Sequence, residues 1–103
     1  MHNDLNDLRE SLDNIDHAFI FLLAERFRVT RKIGLYKREL GLPAVDEARE
    51  QVQFARIERL ARERGLNPEF AAKMLRLIID EVVNNHEALQ GEKSRAREKH
   101  ADN

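Results

Sequence analysis

Apolar residues recur every three or four positions through the first 40 residues of the chain. This spacing places them on one face of an α-helix, and no proline interrupts it. The pattern therefore predicts one helix from about Asp4 to about Leu40, which Gly41 and Pro43 then end. Its apolar stripe consists of Leu5, Leu8, Leu12, Ile15, Phe19, Leu22, Val29, Ile33 and Tyr36.

Two shorter helices are predicted to follow. Asp46 is a good N-cap for a second helix, and Gly65 is placed to end that helix near Arg64. Asn67 and Pro68 supply the cap and the first-turn proline of a third helix. The face of the third helix predicted to point inward carries Phe70, Met74, Leu77, Ile78, Val82 and Leu89.

The end of the chain differs in composition from the rest. Residues 91–103 contain no large apolar side chain, which predicts either a solvated extension of the third helix or a disordered tail. We therefore expect an all-α helical domain over residues 1–90, followed by this charged segment.

The first helix is long for so small a domain. About 36 residues rising 1.5 Å each span about 54 Å, whereas a globule of 103 residues has a radius of gyration of about 13 Å. The two shorter helices cannot cover the apolar stripe along its whole length. A second copy of the chain is the simplest cover, so we expect an intertwined, all-α homodimer.

Composition excludes several kinds of chemistry. The chain has no cysteine, which rules out disulfides and thiolate catalysis, and its four histidines lack metal-ligand spacing. Its 18 basic residues are balanced by 19 acidic ones, which gives little support to nucleic-acid binding. No leader-like or membrane-spanning segment is apparent, so we expect a cytoplasmic protein. We also expect neither a metal nor a cofactor.

One position of the apolar stripe is charged, because the helical spacing that connects Leu22 to Val29 lands on Arg26. A cation on a buried seam costs several kcal/mol unless it is paired. Its partner is either a protein carboxylate in a structural ion pair or the carboxylate of a ligand, which a guanidinium group binds through two hydrogen bonds. Periodicity alone leaves both alternatives open.

Two further cations on the same helix are candidates for an anion site. Lys37 follows Arg26 by 11 residues, about 20° around the helix and about 16 Å along it. Arg9 shares the heptad position of Lys37 but lies about 42 Å away, so only an antiparallel partner subunit would bring it to the same ligand. Taken singly, Arg9 and Lys37 are typical of exposed helix residues.

The other two helices add polar candidates. Glu50 shares the inward face of the second helix with apolar residues, where it either pairs with Arg26 or Arg49 or binds a ligand. Asp46 is either a plain helix cap or a functional residue. His86 lies on the apolar side of the third helix, as a core residue or as a hydrogen-bond donor.

These residues occur in segments that resemble the AroQ-type, all-helical chorismate mutases. The segments are Arg9, "AERF", "IGLYK", "VDEARE" and "LIIDEVVNNHEAL", and the resemblance extends from about Leu5 to Gln90. It implies an intertwined dimer of three-helix subunits. The implied reaction is the Claisen rearrangement of chorismate to prephenate, in the shikimate route to phenylalanine and tyrosine.

The resemblance also implies roles for the cationic residues. Arg26, together with Arg9 of the other subunit, would bind the two carboxylates of the substrate. Lys37 would contact a carboxylate and the ether oxygen, and Arg49 would support the anionic end.

The remaining roles implied by the resemblance concern the ring. Glu50 and the backbone near Asp46 would hold the ring hydroxyl. His86 stands where the family commonly has Gln or Glu at the ether oxygen, and Val82 stands where it often has a small hydroxyl residue. These two exchanges leave room for a mutase or lyase acting on 4-amino-4-deoxychorismate or isochorismate. A non-catalytic helical dimerisation module is the alternative of a different class.

Overall fold

The chain folds into three α-helices, with bounds close to those predicted. The computed structural model describes the backbone of residues 4–101 and the side chains of residues 4–95. Helix α1 comprises Asp4–Leu40, α2 comprises Glu47–Glu63 and α3 comprises Pro68–Ala101. The predicted all-α class is confirmed. Within the described residues, none of the three helices is long and apolar enough to cross a membrane.

The helix ends follow the capping residues. At the end of α1, Gly41 takes a φ of 67°, which allows the Leu42 N–H to donate to the Lys37 carbonyl at 2.8 Å and the Gly41 N–H to donate to the Arg38 carbonyl. The same pair of bonds ends α2 beyond Arg64, with Gly65 at a φ of 71°. Both sharp stops were predictable because glycine adopts these dihedrals without a Cβ clash.

Contacts divide the chain into two units, with the boundary between Thr30 and Arg31 inside α1. The first unit consists of the N-terminal part of α1. The second contains the rest of α1 together with α2 and α3, which contact each other. The buried core of the second unit is small, and alanines let its helices approach closely. Its buried apolar residues are Ala44, Ala61, Ala71, Leu75, Ile79 and Leu89.

The prediction for the inward face of α3 is partly wrong. Phe70 and Leu77 are 57% and 74% exposed, whereas Ala71, Leu75 and Ile79 are buried. The buried residues form one i, i+4 row of the helix, and Phe70 and Leu77, seven positions apart, form a neighbouring row. The burial of Leu89 is as predicted, and Met74, Ile78 and Val82 are partly buried.

Helix α3 continues beyond Gln90 to Ala101, so residues 91–101 extend the helix. Side chains beyond Arg95, and residues 102 and 103 entirely, lie outside the described residues. The division into a domain of residues 1–90 and a charged segment stays a prediction.

Two glycine substitutions distinguish a glycine that ends a helix, Gly65, from a glycine inside a helix, Gly91. Gly65→Ala should lower the free energy of unfolding by about 1 kcal/mol, because a Cβ at Gly65 meets no atom within 4 Å and the cost is purely that of a positive φ. Gly91→Ala should raise it by about 0.5 kcal/mol, because Gly91 lies inside α3 and its added Cβ has an ordinary contact, 3.7 Å from Arg95. Urea unfolding at matched protein concentration measures both. Equal effects of the two variants would contradict the assignment.

Candidate active site

The eight residues predicted to form the site come from all three helices and from the residue that caps α2. Arg9 and Arg26 lie in the first unit, Arg9 exposed and Arg26 partly buried. The other six lie in the second unit. They are Lys37, Asp46, Arg49, Glu50, Val82 and His86.

Lys37 is held by the loop that follows its own helix. Its Nζ donates a hydrogen bond to the carbonyl of Ala44, at 3.1 Å, and the side chain is partly buried. Ala44 is itself 8% exposed, which anchors the acceptor in the core. An ammonium group has three protons to donate, so this bond fixes Lys37 and leaves it able to donate to a ligand.

Asp46 is the N-cap of α2. Its φ of −129° is extended, and its Oδ1 accepts a hydrogen bond from the Arg49 backbone N–H at 3.0 Å. The Asp46 carbonyl accepts the first helical bond, from the Glu50 N–H. The structure therefore gives the Asp46 carboxylate the capping role, while the Arg49 side chain is exposed.

Glu50 pairs with a residue that the sequence did not single out. Its Oε1 accepts from Nη1 of Arg76, on α3, at 3.0 Å, and its side chain is only 16% exposed. The same Nη1 lies 3.3 Å from Oδ1 of Asp80. The hydrogen bond to Glu50 and then that to Asp80 raise the pKa of Arg76 above its ordinary value. A charged carboxylate on the inner face of α2 is thus compensated across the helix interface.

His86 is the most deeply buried polar residue that the structure describes, at 2% exposure. Its ring packs against Gly34, the buried residue of α1. A Cβ built on Gly34 would lie 2.5 Å from Cδ2 and 2.9 Å from Nε2 of His86, closer than real atoms approach. Only glycine at position 34 leaves room for the imidazole there. Val82, which lies one turn before His86 on α3, is partly buried.

A second group of contacts ties α3 to the end of α1. Nε2 of Gln90 donates to the Leu42 carbonyl at 2.8 Å, and Nζ of Lys93 donates to the Arg38 carbonyl at 3.3 Å. The charge of Lys93, 3.4 Å from Glu39, lowers the pKa of that carboxyl below its usual value. These contacts fix the corner from which Lys37 projects.

Three polar side chains of the second unit have defined surroundings, and none of them belongs to a metal-ligand cluster among the described residues. Among the described residues, no group of three or more His, Asp or Glu side chains is placed to hold a metal ion. The second unit holds an ammonium group, Lys37, a carboxylate bonded to an arginine, Glu50, and a buried imidazole, His86. Such groups can orient a substrate and stabilise charge on it.

Comparison with known proteins decides the family. The family model for chorismate mutase type II matches residues 8–87, which include all eight predicted site residues. The chain belongs to the type II chorismate mutase family. The predicted family is therefore confirmed, and with it the class of enzyme, an isomerase of the chorismate mutase type.

Individual relatives of this type II chorismate mutase chain differ in length and in name. The chorismate mutase of Methanocaldococcus jannaschii is 29% identical over 80 residues, covering 78% of this chain and 81% of that protein. The 4-amino-4-deoxychorismate mutase of Streptomyces venezuelae is 26% identical over 92 residues, 89% of each chain. A bifunctional chorismate mutase/prephenate dehydratase of Buchnera aphidicola is 31% identical over 81 residues, and the match spans 21% of its length.

The fit of His86 against Gly34 predicts a coupled pair in this chorismate mutase fold. Gly34→Ala should lower the free energy of unfolding by about 2 kcal/mol, because the new methyl group forces the buried imidazole to move. The same substitution made in a His86→Ala background should cost less than half as much, since the clashing ring is gone. Urea unfolding of the four proteins measures the difference, and equal costs in both backgrounds would refute the contact.

Proposed function

We propose that this chain is a chorismate mutase that converts chorismate to prephenate, in the route to phenylalanine and tyrosine. The observation that carries the proposal is the family match over residues 8–87, which covers every residue to which the resemblance assigns a role. The fixed Lys37 ammonium and the compensated Glu50 carboxylate support it, because both are held ready for a ligand within the second unit.

The proposed reaction requires no covalent bond between the protein and the substrate. A Claisen rearrangement is unimolecular, so it needs neither a nucleophile nor a proton transfer. The enzyme has to hold the flexible enolpyruvyl arm over the ring in a reactive conformation, and two arginines that bind the two carboxylates achieve this. In the proposed site these are Arg26 and, from the partner subunit, Arg9.

The electrostatic part of the rate acceleration falls to donors at the ether oxygen. Negative charge grows on this oxygen as the carbon–oxygen bond breaks, so fixed donors stabilise the transition state more than the ground state. We assign this role to Lys37 and His86. The packing of His86 on Gly34 supports it, because a closely packed, buried ring needs little reorganisation during the reaction.

The proposal includes a homodimer with shared sites. In the single chain the stripe of α1 is largely open to solvent, with Leu8 at 67%, Leu22 at 65% and Tyr36 at 71% exposure. Burying such a surface against a second copy is strongly favourable. An antiparallel arrangement of the two α1 helices would bring Arg9 of one subunit to Arg26 and Lys37 of the other.

The other residues of the proposed site bind the rest of the substrate. Glu50 and the backbone near Asp46 hold the ring hydroxyl, and Arg49 supports the anionic end.

A second candidate function is supported by one comparison. The Streptomyces venezuelae relative named 4-amino-4-deoxychorismate mutase matches 89% of this chain. Val82, which provides no side-chain hydrogen bond where the family often has a hydroxyl, leaves room for a related substrate such as the amino compound or isochorismate. A cytoplasmic location stays a prediction.

Replacing Arg26 tests the proposed function. Purified wild type should convert chorismate to prephenate. The loss of the ultraviolet absorbance of chorismate measures the rate, and NMR identifies the product. Arg26→Ala should lower kcat/KM at least about 100-fold, because it removes a charged pair to the substrate. The matched control is Arg28→Ala, since Arg28 is exposed and pairs with Glu25 on its own helix.

The outcomes separate the candidate classes. Turnover of the amino compound without turnover of chorismate would replace the first function by the second. A wild type that forms a folded dimer but turns over none of the three compounds, chorismate, 4-amino-4-deoxychorismate and isochorismate, would favour the non-catalytic module.

Mixing two inactive variants tests the contribution of Arg9 across subunits. Arg9→Ala and Arg26→Ala should each be nearly inactive alone. After joint refolding in equal amounts, about one quarter of wild-type activity should return, because half of the dimers are mixed and each mixed dimer has one intact site. Differently tagged chains confirm that mixed dimers form. Mixed dimers without recovered activity would show that Arg9 serves its own subunit or no site.

A further inference from the structure

Arg76 contacts three other side chains, and the family resemblance leaves it without a role. Its guanidinium group contacts two carboxylates, Glu50 at 3.0 Å and Asp80 at 3.3 Å. Its Cζ also lies 4.7 Å from the ring centre of Phe54, which is cation–π distance. Three groups on two helices therefore fix the position of one side chain.

Glu50 is the least exposed of the three charged residues in this cluster. Its side chain is 16% exposed, whereas those of Arg76 and Asp80 are 48% and 60% exposed. Phe54 lies one turn after Glu50 on α2. The aromatic ring under the Arg76 guanidinium and the carboxylate that accepts its hydrogen bond therefore lie on the same face of α2. The planar guanidinium both stacks on the ring and donates to Glu50, which a lysine in its place does not do.

We propose that Arg76 is a positioning residue that acts through Glu50, holding its carboxylate to receive the ring hydroxyl of chorismate and disfavouring a ring that has an ammonium group at that position. The inference rests on the proposed function. The Arg76 bond engages Oε1 of Glu50, and a carboxylate accepts about four hydrogen bonds in total. Glu50 is therefore able to accept one more, from a hydroxyl.

The charge of Arg76 gives the pair its selectivity. An unpaired carboxylate would attract an ammonium group more strongly than a neutral hydroxyl. With a guanidinium group 3.0 Å from Glu50, the ammonium of 4-amino-4-deoxychorismate would approach a second positive charge as well, while the hydroxyl of chorismate would not. The pair thus favours chorismate over the amino compound, the two substrates between which the relatives leave a choice.

The test is a double-mutant cycle with two readouts. Wild type, Arg76→Gln, Glu50→Gln and the double variant are compared by kcat/KM for chorismate and by the inhibition constant of 4-amino-4-deoxychorismate against chorismate turnover. Arg76→Gln should lower kcat/KM about tenfold in the wild-type background but less than about twofold in the Glu50→Gln background, because it acts through Glu50. It should also tighten inhibition by the amino compound about fivefold relative to the KM for chorismate.

Matched variants separate positioning from general stability. Arg59→Gln removes another exposed helix arginine, one that pairs with Glu63 on its own helix, and should leave both readouts unchanged. Arg76→Lys keeps the charge but not the stacked fork, so it should lower kcat/KM and preserve selectivity. This variant carries the test if Arg76→Gln does not fold.

The outcomes are distinct. Equal losses from Arg76→Gln in both Glu50 backgrounds, or an unchanged selectivity in Arg76→Gln, would overturn the role of Arg76 while leaving the mutase function standing. Selectivity lost in Arg76→Lys would overturn the part assigned to charge. A wild type without chorismate turnover would instead overturn the proposed function, and this inference with it.

Discussion

The apolar stripe of α1 is the constraint on which the rest of the structure depends. A helix of 37 residues has large apolar side chains along most of its length, and in one chain most of them are exposed. The second unit buries only a small core, in which three of the six apolar residues are alanines. On the proposed function, a second copy supplies both the missing cover and the missing arginine of each site.

Within the second unit, polar contacts hold Lys37 and Glu50, whereas close packing against Gly34 holds His86. Lys37 is held by a loop carbonyl, and Glu50 is held by Arg76 across the α2–α3 interface. Gln90 and Lys93 fasten the end of α1 to α3. Each of these bonds restricts a side chain or a loop before any ligand arrives. Such prior ordering is what an enzyme needs when its task is to orient a substrate and stabilise charge.

The predictable part of this structure is local. Helix bounds follow from caps and stops that lie within a few residues of each other, as at Asp46 and Gly65, and the structure places them as expected. The choice of buried row on α3 was predicted less well, because neighbouring rows of that helix are both apolar and only packing selects between them. Phe70 and Leu77 were assigned inward for this reason.

The site shows the same limit. The candidate residues were found from charges at unusual positions and from a resemblance spread over three helices. Arg76 was missed because its partner Glu50 is 26 residues away in the sequence and no periodicity connects them. An inward-facing carboxylate on α2 was the available signal, since it requires a cation on whichever helix packs against it. The close approach of His86 to Gly34 likewise depends on tertiary packing.

The most direct test of the central claim is the mass of the active species in solution. Sedimentation equilibrium across a range of protein concentrations, with chorismate turnover measured on the same samples, compares size with activity. Sites shared between two subunits require a particle of twice the chain mass of 12.1 kDa wherever turnover is observed, with activity falling as the dimer dissociates. A species of 12.1 kDa that turns over chorismate with undiminished activity per chain would contradict it.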